Sequence, residues 1–507
     1  MKVRLLHPEH DPDLRSHVPW QIRALVTEDL ELNQIYDAMA GGDKFFREIA
    51  TAVLPQAVTD PDVITYRQQV LADTLANHAV VQQIYDIAAG VDGVELRHKV
   101  FLGGLKSNDP AAILRRSVRI VELLTGTLRE LRNLTGRSAD RFRSPGLRQL
   151  SGMLAEQIPD DYLAVVREYL SEFQLPRGVL MSAQLGLGNN GEQPVLHQPP
   201  RRKWLPSRTD SASGGYEFTI DANDIAGGQA LSTLAGRALN DIANTVTQSA
   251  EHLQHFFSRL RWELGFYLGC ANLHRALATR NVPTCFPVPT PTAPHRLHCS
   301  DLRDIGICLA TDHRVSGTTI AADGKALTVI TGANGGGKST FLRSVGTAQL
   351  MMQAGMFVTA EAFTANVRSR ILTHFSREED ATLTHGRLEE ELVRMNMLVD
   401  HIDPASMLLC NESFASTNEL EGSQIAREII DAMIGSGIKV LFVTHLYDLG
   451  HSLHARQDPT HVFLRAERQP DGVRTFQLIP GAPEPTSYAQ DAFQQIFGRP
   501  AGSSYAE

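Results

Sequence analysis

The sequence predicts an α + α/β fold, a largely helical region followed by a mixed α/β domain. Three observations predict it. Apolar residues return every three or four positions through the first 180 residues, a proline-dense stretch follows at 283–294, and beyond it short apolar runs alternate with helical segments. At 507 residues the chain is long enough for two or three domains with cores of their own.

The helical spacing is plain in "DLELNQIYDAM" and in "AILRRSVRIVELLTGTLRELRNL". Residues 1–282 read as one mostly helical core and lever domain. Between about 177 and 226 the texture changes to Gly, Pro and Asn with short apolar runs, which predicts a small strand-containing insertion. From Gly228 to Arg280 there is no proline, and Leu231, Leu239, Ile242, Val246, Leu253, Phe257, Leu260, Leu264 and Tyr267 keep a helical stripe. That stretch reads either as one long helix, over about 228–280, or as two helices broken at Gly265 and Gly269. The five prolines of "NVPTCFPVPTPTAPHRL" can join neither a helix nor a central strand, so residues 283–299 read as a linker and 300–507 as the second domain.

Composition limits the classes of function. With 42% hydrophobic and 21% charged residues the chain is of ordinary globular type, and no apolar run approaches the roughly 20 residues of a membrane span. The opening "MKVRLLHPEHDPD" has too short an apolar stretch for a secretory leader. The five cysteines, Cys270, Cys285, Cys299, Cys308 and Cys410, form no CxxC pair. A cytoplasmic protein without disulfides or a membrane partner is expected. The formal net charge is -9, yet residues 95–150 carry twelve Arg and Lys against five Asp and Glu. Contact with a polyanion would therefore be local, at that segment or at Arg201, Arg202 and Lys203 beside Trp204.

The strongest motif is "LTVITGANGGGKSTFLRSVG". Gly332, Gly337, Lys338 and Ser339 fall at the GxxxxGKS spacing, straight after a strand-like run and straight before a helical one. Glycines let backbone N–H groups wrap a phosphate, and the helix N-terminus adds positive potential. The cradle would comprise Gly332, Ala333, Asn334, Gly335, Gly336, Gly337, Lys338, Ser339 and Thr340, with Lys338 on the outer phosphates and the Ser339 hydroxyl on magnesium. ATP and Mg2+ are the expected cofactors.

Downstream, "MLLCNESFASTNELEG" delivers a buried strand that ends in Asn411 and Glu412. Glu412 suits the role of general base or orienter of the attacking water. Asn411 stands where a metal-holding Asp is usual, and its amide oxygen supplies no negative charge, so weakened metal affinity is expected. The expected metal set is Ser339, Asn411 and Glu412. "VLFVTHLYDL" ends a third strand with His445 placed to sense the terminal phosphate or steady the water. Lys338, Glu412 and His445 are the candidate catalytic residues.

Together these motifs, with the terminal "FQLIPGAPEPTSYAQDAFQQIFG", resemble the MutS family of mismatch-repair ATPases, which shares ABC-type nucleotide domains. The resemblance is firm over 300–500 and fainter in "DLELNQIYDAMAGGDKFF" and "DPDVITYRQQVL". It implies a P-loop (ABC-type) ATPase domain with a C-terminal helical dimerisation segment, a homodimer closed around two ATPs, and DNA as a sequence-independent partner, duplex or branched. It also implies that the segment around Gly386 and the loop Ser416, Thr417, Asn418 complete the partner's site. Where the family follows that glycine with Ser or Thr and an aromatic, this chain has Arg387, Leu388 and three glutamates. The sequence shows no counterpart of the family's N-terminal mismatch-reading domain, so slow ATP hydrolysis coupled to DNA binding, without mismatch readout, is the expected activity. An ATP-gated dimeric scaffold that does not touch DNA is the alternative. A transporter ATPase is less favoured, because no LSGGQ-type stretch precedes "MLLCNESF".

Overall fold

Runs such as LTVIT, MLLCN and KVLFV are buried at nearly every position, which a sheet permits only when both faces are covered. They form the middle of a six-stranded sheet in the order Arg474–Pro480, His461–Arg468, Leu327–Thr331, Lys439–Val443, Met407–Asn411, Ile371–Phe375. Every pairing in it is parallel except that of the edge strand Arg474–Pro480 with its neighbour His461–Arg468. The register sets Ile330 beside Val443, and Val443 beside Asn411. Three strands therefore end level at one edge. A second sheet of four strands runs in the order Val288–Thr290, Ala362–Asn366, Leu297–Leu302, Thr318–Ala321. The protein is thus of mixed helix and sheet class.

The computed structural model describes all residues except 12–18, 57, 102–108, 177, 188–190, 199–218, 222, 334, 378–385, 469–473 and 485–507, and the side chains of 92–101. The sequence-predicted contacts at Arg201, Arg202, Lys203 and Trp204, and the terminal dimerisation segment from residue 485 on, lie outside the described residues. No described helix is long and apolar enough to cross a membrane.

The chain forms two units. One comprises Met1–Val3, Ala79–Phe142 and Arg148–Trp262, and the other Arg4–His78, Arg143–Leu147 and Glu263–Glu507. The first is built on helix Pro110–Ser138, where Leu114, Val118 and Val121 pack with Leu170 and with Leu239, Ala243, Val246 and Ala250 of helix Ile225–Ala278. The i, i+4, i+7 spacing of each set is what lets two helices share one apolar seam. A hairpin of Leu180–Leu185 and Gly191–His197 belongs to the same unit.

Helix Ile225–Ala278 runs without a break through Gly265 and Gly269 over 54 residues, about 80 Å at 1.5 Å per residue. A Cβ on Gly265 would lie 2.5 Å from the Ile49 side chain, so close approach of helix Lys44–Val53 accounts for that glycine. Two positions earlier, the fully buried Glu263 accepts hydrogen bonds from the amides of Leu5 and Leu6, at 2.9 and 3.0 Å. The Tyr267 hydroxyl donates to the Leu5 carbonyl at 2.6 Å, and the Arg67 Nε to that of Leu6 at 2.7 Å. These bonds tie residues 4–6 into the second unit and satisfy polar groups that would otherwise be costly to bury.

At the far end of the sheet from the three level strand ends, Lys439 is fully buried, its Nζ donating to the Lys325 carbonyl at 2.8 Å. Burial, and then the nearby Arg368 guanidinium, push the amine down to about 7 against the partial compensation of Asp323. A lowered folded-state pKa means that the unfolded chain binds the extra proton between pH 7 and 10.5. The cost of the buried ammonium is complete below about pH 7 and is relieved as pH rises, by up to about 1.4 kcal/mol per unit. Denaturant midpoints measured from pH 7 to 9.5 are therefore expected to climb more steeply in the native chain than in Lys439→Met. Parallel slopes would show that the amine is not so shifted.

Candidate functional site

The segment from Thr331 to Lys338 turns from a buried strand into helix Lys338–Gln353. Gly337 caps that helix with φ 88°, and the turn before it holds Gly332 at φ 115° and Gly335 at φ 69°. Such angles are open to glycine and costly for other residues. At Gly336 a Cβ would sit 2.6 Å from that of Ala466, so the loop lies flat against strand His461–Arg468. No side chain caps the helix, and its first N–H groups point out at the loop with the positive end of the helix dipole behind them. Asn334 lies outside the described residues.

Lys338 is buried, and its Nζ donates to the carbonyls of Gly332 and Ala333 at 2.8 and 3.1 Å. The same Nζ stands 3.9 Å from Glu412 Oε1. The Ser339 hydroxyl donates to Asn411 Oδ1 at 2.7 Å, joining the loop to the end of the neighbouring strand system. Thr340 is partly exposed in the first helical turn.

Glu412 follows strand Met407–Asn411 with φ 54°, and Phe414 two residues on has φ 64°. Non-glycine residues avoid this region, so the turn is held by its surroundings. The Glu412 amide donates to the Val443 carbonyl at 2.9 Å. Its Oε2 accepts from the His445 amide at 3.1 Å and lies 2.5 Å from His445 Nδ1. Burial by itself would raise the Glu412 carboxyl. The His445 hydrogen bond and the charges of His445 and Lys338 outweigh it and hold the group below the usual carboxylate range. The bond to Glu412 raises His445 in turn. A carboxylate kept ionised beside a cation, next to a loop of amides, is placed to accept a hydrogen bond from water near a bound anion.

Lys338, Ser339, Asn411, Glu412 and His445 thus meet at one edge of the parallel sheet, where crevices form at the carboxyl ends of strands. The expected residues Ser416 and Thr417 do not join this hydrogen-bonded group. The Ser416 hydroxyl is buried beside Glu391, while Thr417 donates to Glu421 at 2.8 Å. Gly386 caps helix Arg387–Val399, and a Cβ there would meet nothing within 4 Å. Residues 382–385 of the segment before it lie outside the described residues.

Several residues that hold the site were not singled out from sequence. Glu419 Oε1 accepts from the amides of Tyr447 and Asp448, at 2.8 and 3.2 Å, and so ties the loop after Glu412 to the loop after His445. Arg343, one turn along the helix from Ser339, binds Asp304 at 2.8 Å and Glu31 as well. Behind the Glu412 turn, His374 Nδ1 lies 2.7 Å from the Ser413 hydroxyl and its Nε2 2.9 Å from the Glu391 carbonyl. Burial pushes this imidazole down to about 4, so it is neutral. A neutral ring that donates from Nε2 leaves Nδ1 unprotonated, so the single Ser413 hydroxyl proton has two acceptors at 2.7 Å, Nδ1 and the His374 carbonyl. Glu391, Met395 and Leu398 are the buried positions of their helix, a spacing of four and three that sequence periodicity could have marked.

Two family models match this chain. Residues 59–280 match the family model of the MutS2 N-terminal domain, and residues 328–496 match that of MutS domain V, the stretch that carries the loop, Asn411, Glu412 and His445. The chain belongs to the MutS family. Among its MutS-family relatives, the DNA mismatch repair protein MutS of Thermotoga neapolitana is 34% identical over 172 residues, covering 33% of this chain and 21% of that protein. MutS protein homolog 4 of Mus musculus is 25% identical over 191 residues, or 36% of this chain and 20% of that protein. The chain therefore spans about a fifth of the length of these curated MutS-family relatives.

The donor set also fits the groups a MutS-family site would take. Ser339 Oγ, Asn411 Oδ1 and the Glu412 carboxylate are hard oxygen ligands of the kind Mg2+ prefers. No cluster of three His, Cys, Asp or Glu able to hold a metal occurs among the described residues. Gly332, Gly335 and Gly337 take the positive φ that a backbone phosphate cradle uses.

Proposed function

We propose that this chain is a Mg2+-dependent ATPase that dimerises around ATP and couples nucleotide binding and slow hydrolysis to sequence-independent DNA binding. The observation that carries the reading is the meeting of Glu412, His445 and Lys338 beside the glycine loop, within 3.9 Å of one another in series. Loop residues Gly332 to Thr340 bind the phosphates, and Lys338 exchanges its two loop carbonyls for phosphate oxygens. Ser339, Asn411 and Glu412 would hold magnesium, which would supply neutralisation of phosphate charge. Glu412 orients the attacking water and takes its proton, and His445 steadies that carboxylate. Gly386, Ser416 and Thr417 serve the site of the facing copy. Five cysteines without a disulfide suit a cytoplasmic protein.

DNA enters this reading from the Thermotoga neapolitana relative, which is named a DNA mismatch repair protein, and from the basic segment at 95–150. On helix Pro110–Ser138, Arg115, Arg116 and Arg119 are exposed at i, i+1 and i+4, a spacing that serves phosphates and reads no base. Binding of plain, mismatched and branched duplexes, with and without ATP and over a range of salt, tests the coupling. Affinity that falls with salt, varies little with sequence and changes with ATP is the expected result. Replacing each of the three arginines with alanine is expected to lower the salt slope by about one. Binding to no DNA at any salt concentration, with ATP turnover intact, would favour the ATP-gated scaffold instead.

The amide at position 411 gives a separate expectation. Asn411→Asp supplies the missing negative charge, so half-saturation of turnover should need several-fold less magnesium. An unchanged magnesium dependence would remove Asn411 from the metal set.

A further inference from the structure

We propose that Glu391 is a positioning residue for Glu412, holding from behind the left-handed turn that aims that carboxylate; the proposal rests on the reading of Glu412 as the hydrolytic group. Glu412 and Phe414 both have positive φ, on either side of the fully buried Ser413. Two such residues within three positions are strained, and persist only where neighbours over-determine them. The neighbours are specific. The Phe414 amide donates to Glu391 Oε2 at 2.5 Å, a charge-assisted bond inside the protein, with Glu391 only 3% exposed. The Glu391 main-chain carbonyl accepts from His374 Nε2, the Ser413 hydroxyl lies 2.7 Å from both His374 Nδ1 and the His374 carbonyl, and the imidazole stacks on Phe414 at 5.3 Å. Both the side chain and the backbone of one residue therefore clamp the two residues that follow Glu412.

Helix Arg387–Val399 is the source of this clamp, and Glu391 sits five residues past its cap Gly386. Movement at the start of that helix reaches the Glu412 turn through two hydrogen bonds. Neither Glu391 nor His374 is among the residues that meet around the glycine loop, so their contribution passes through the turn.

Steady-state ATP turnover of the full chain, together with affinity for a fluorescent ATP analogue and hydrogen exchange at the Phe414 amide, provides the test. Glu391→Leu removes the acceptor. It is expected to lower kcat at least tenfold, leave KM and analogue affinity within threefold, and speed exchange at Phe414. Glu391→Gln keeps an acceptor oxygen at the same reach and is expected to restore kcat to within threefold of native. Should the leucine variant not fold, Glu391→Asp, one methylene short of the amide, is expected to show the same kcat loss at smaller size. Native kcat in a folded Glu391→Leu or Glu391→Asp chain, or a glutamine variant as impaired as the leucine one, would overturn the proposal. Failure of the native chain to bind the analogue would instead overturn the reading of the site itself.

Discussion

Glu412→Gln is expected to lower ATP turnover by about a hundredfold or more while leaving nucleotide affinity within a few-fold of native. The substitution keeps the volume and one acceptor oxygen but removes the carboxylate that stands between Lys338 and His445. A general base contributes typically 10²–10⁴-fold, and here the group is kept ionised by His445 and Lys338 against the pull of burial. The phosphate cradle is untouched, so binding and chemistry separate. Lys338→Ala should act the other way, weakening nucleotide binding first, because its ammonium is the cradle's own charge. Turnover of Glu412→Gln within threefold of native, measured by phosphate release at saturating ATP, would take Glu412 out of the reaction.

Gly422→Ala is expected to destabilise the protein by about 1–3 kcal/mol and to cut turnover more than tenfold. A Cβ at this position would lie 2.4 Å from the Phe414 carbonyl oxygen, a backbone atom that no rotamer change can move aside. Either helix Glu419–Gly435 or the turn after Glu412 must shift, and the turn already carries two left-handed residues. The carboxylate it aims should therefore lose its place beside His445. Gly435→Ala, at the end of the same helix, provides the comparison: a Cβ there meets nothing within 4 Å, and alanine is the better helix former. That variant should melt at or slightly above the native temperature with full turnover. If both variants behave alike, the close approach at Gly422 does not govern the turn.

Much of the site is legible in the order of residues along the chain, for a local reason. Phosphate binding by a loop needs glycines, a lysine and a hydroxyl at fixed offsets between strand and helix, so chain order alone carries that chemistry. Asn411 and Glu412, and likewise His445, can be marked because each ends an unbroken buried run, and a parallel sheet brings such ends to one edge. The partners that the side chains take are not legible in this way. Three glutamates stand together at 389–391, and only Glu391 has its carboxylate on the Phe414 amide, because the helix turns that face toward a loop 23 residues away.

Spacing along the chain is enough to give the order of strand, loop and helix, the glycine loop ahead of Lys338 and Ser339, and the apolar seams of the long helices. Tertiary structure alone decided that residues 4–78 join the unit of the parallel sheet, with Leu5 and Leu6 fastened to Glu263 some 258 positions later. It alone decided, too, that Glu412 adopts a left-handed backbone and finds His445. Hydrogen bonds between distant groups, and the strain they sustain, depend on which surfaces meet once the core has packed, and no local pattern encodes that meeting.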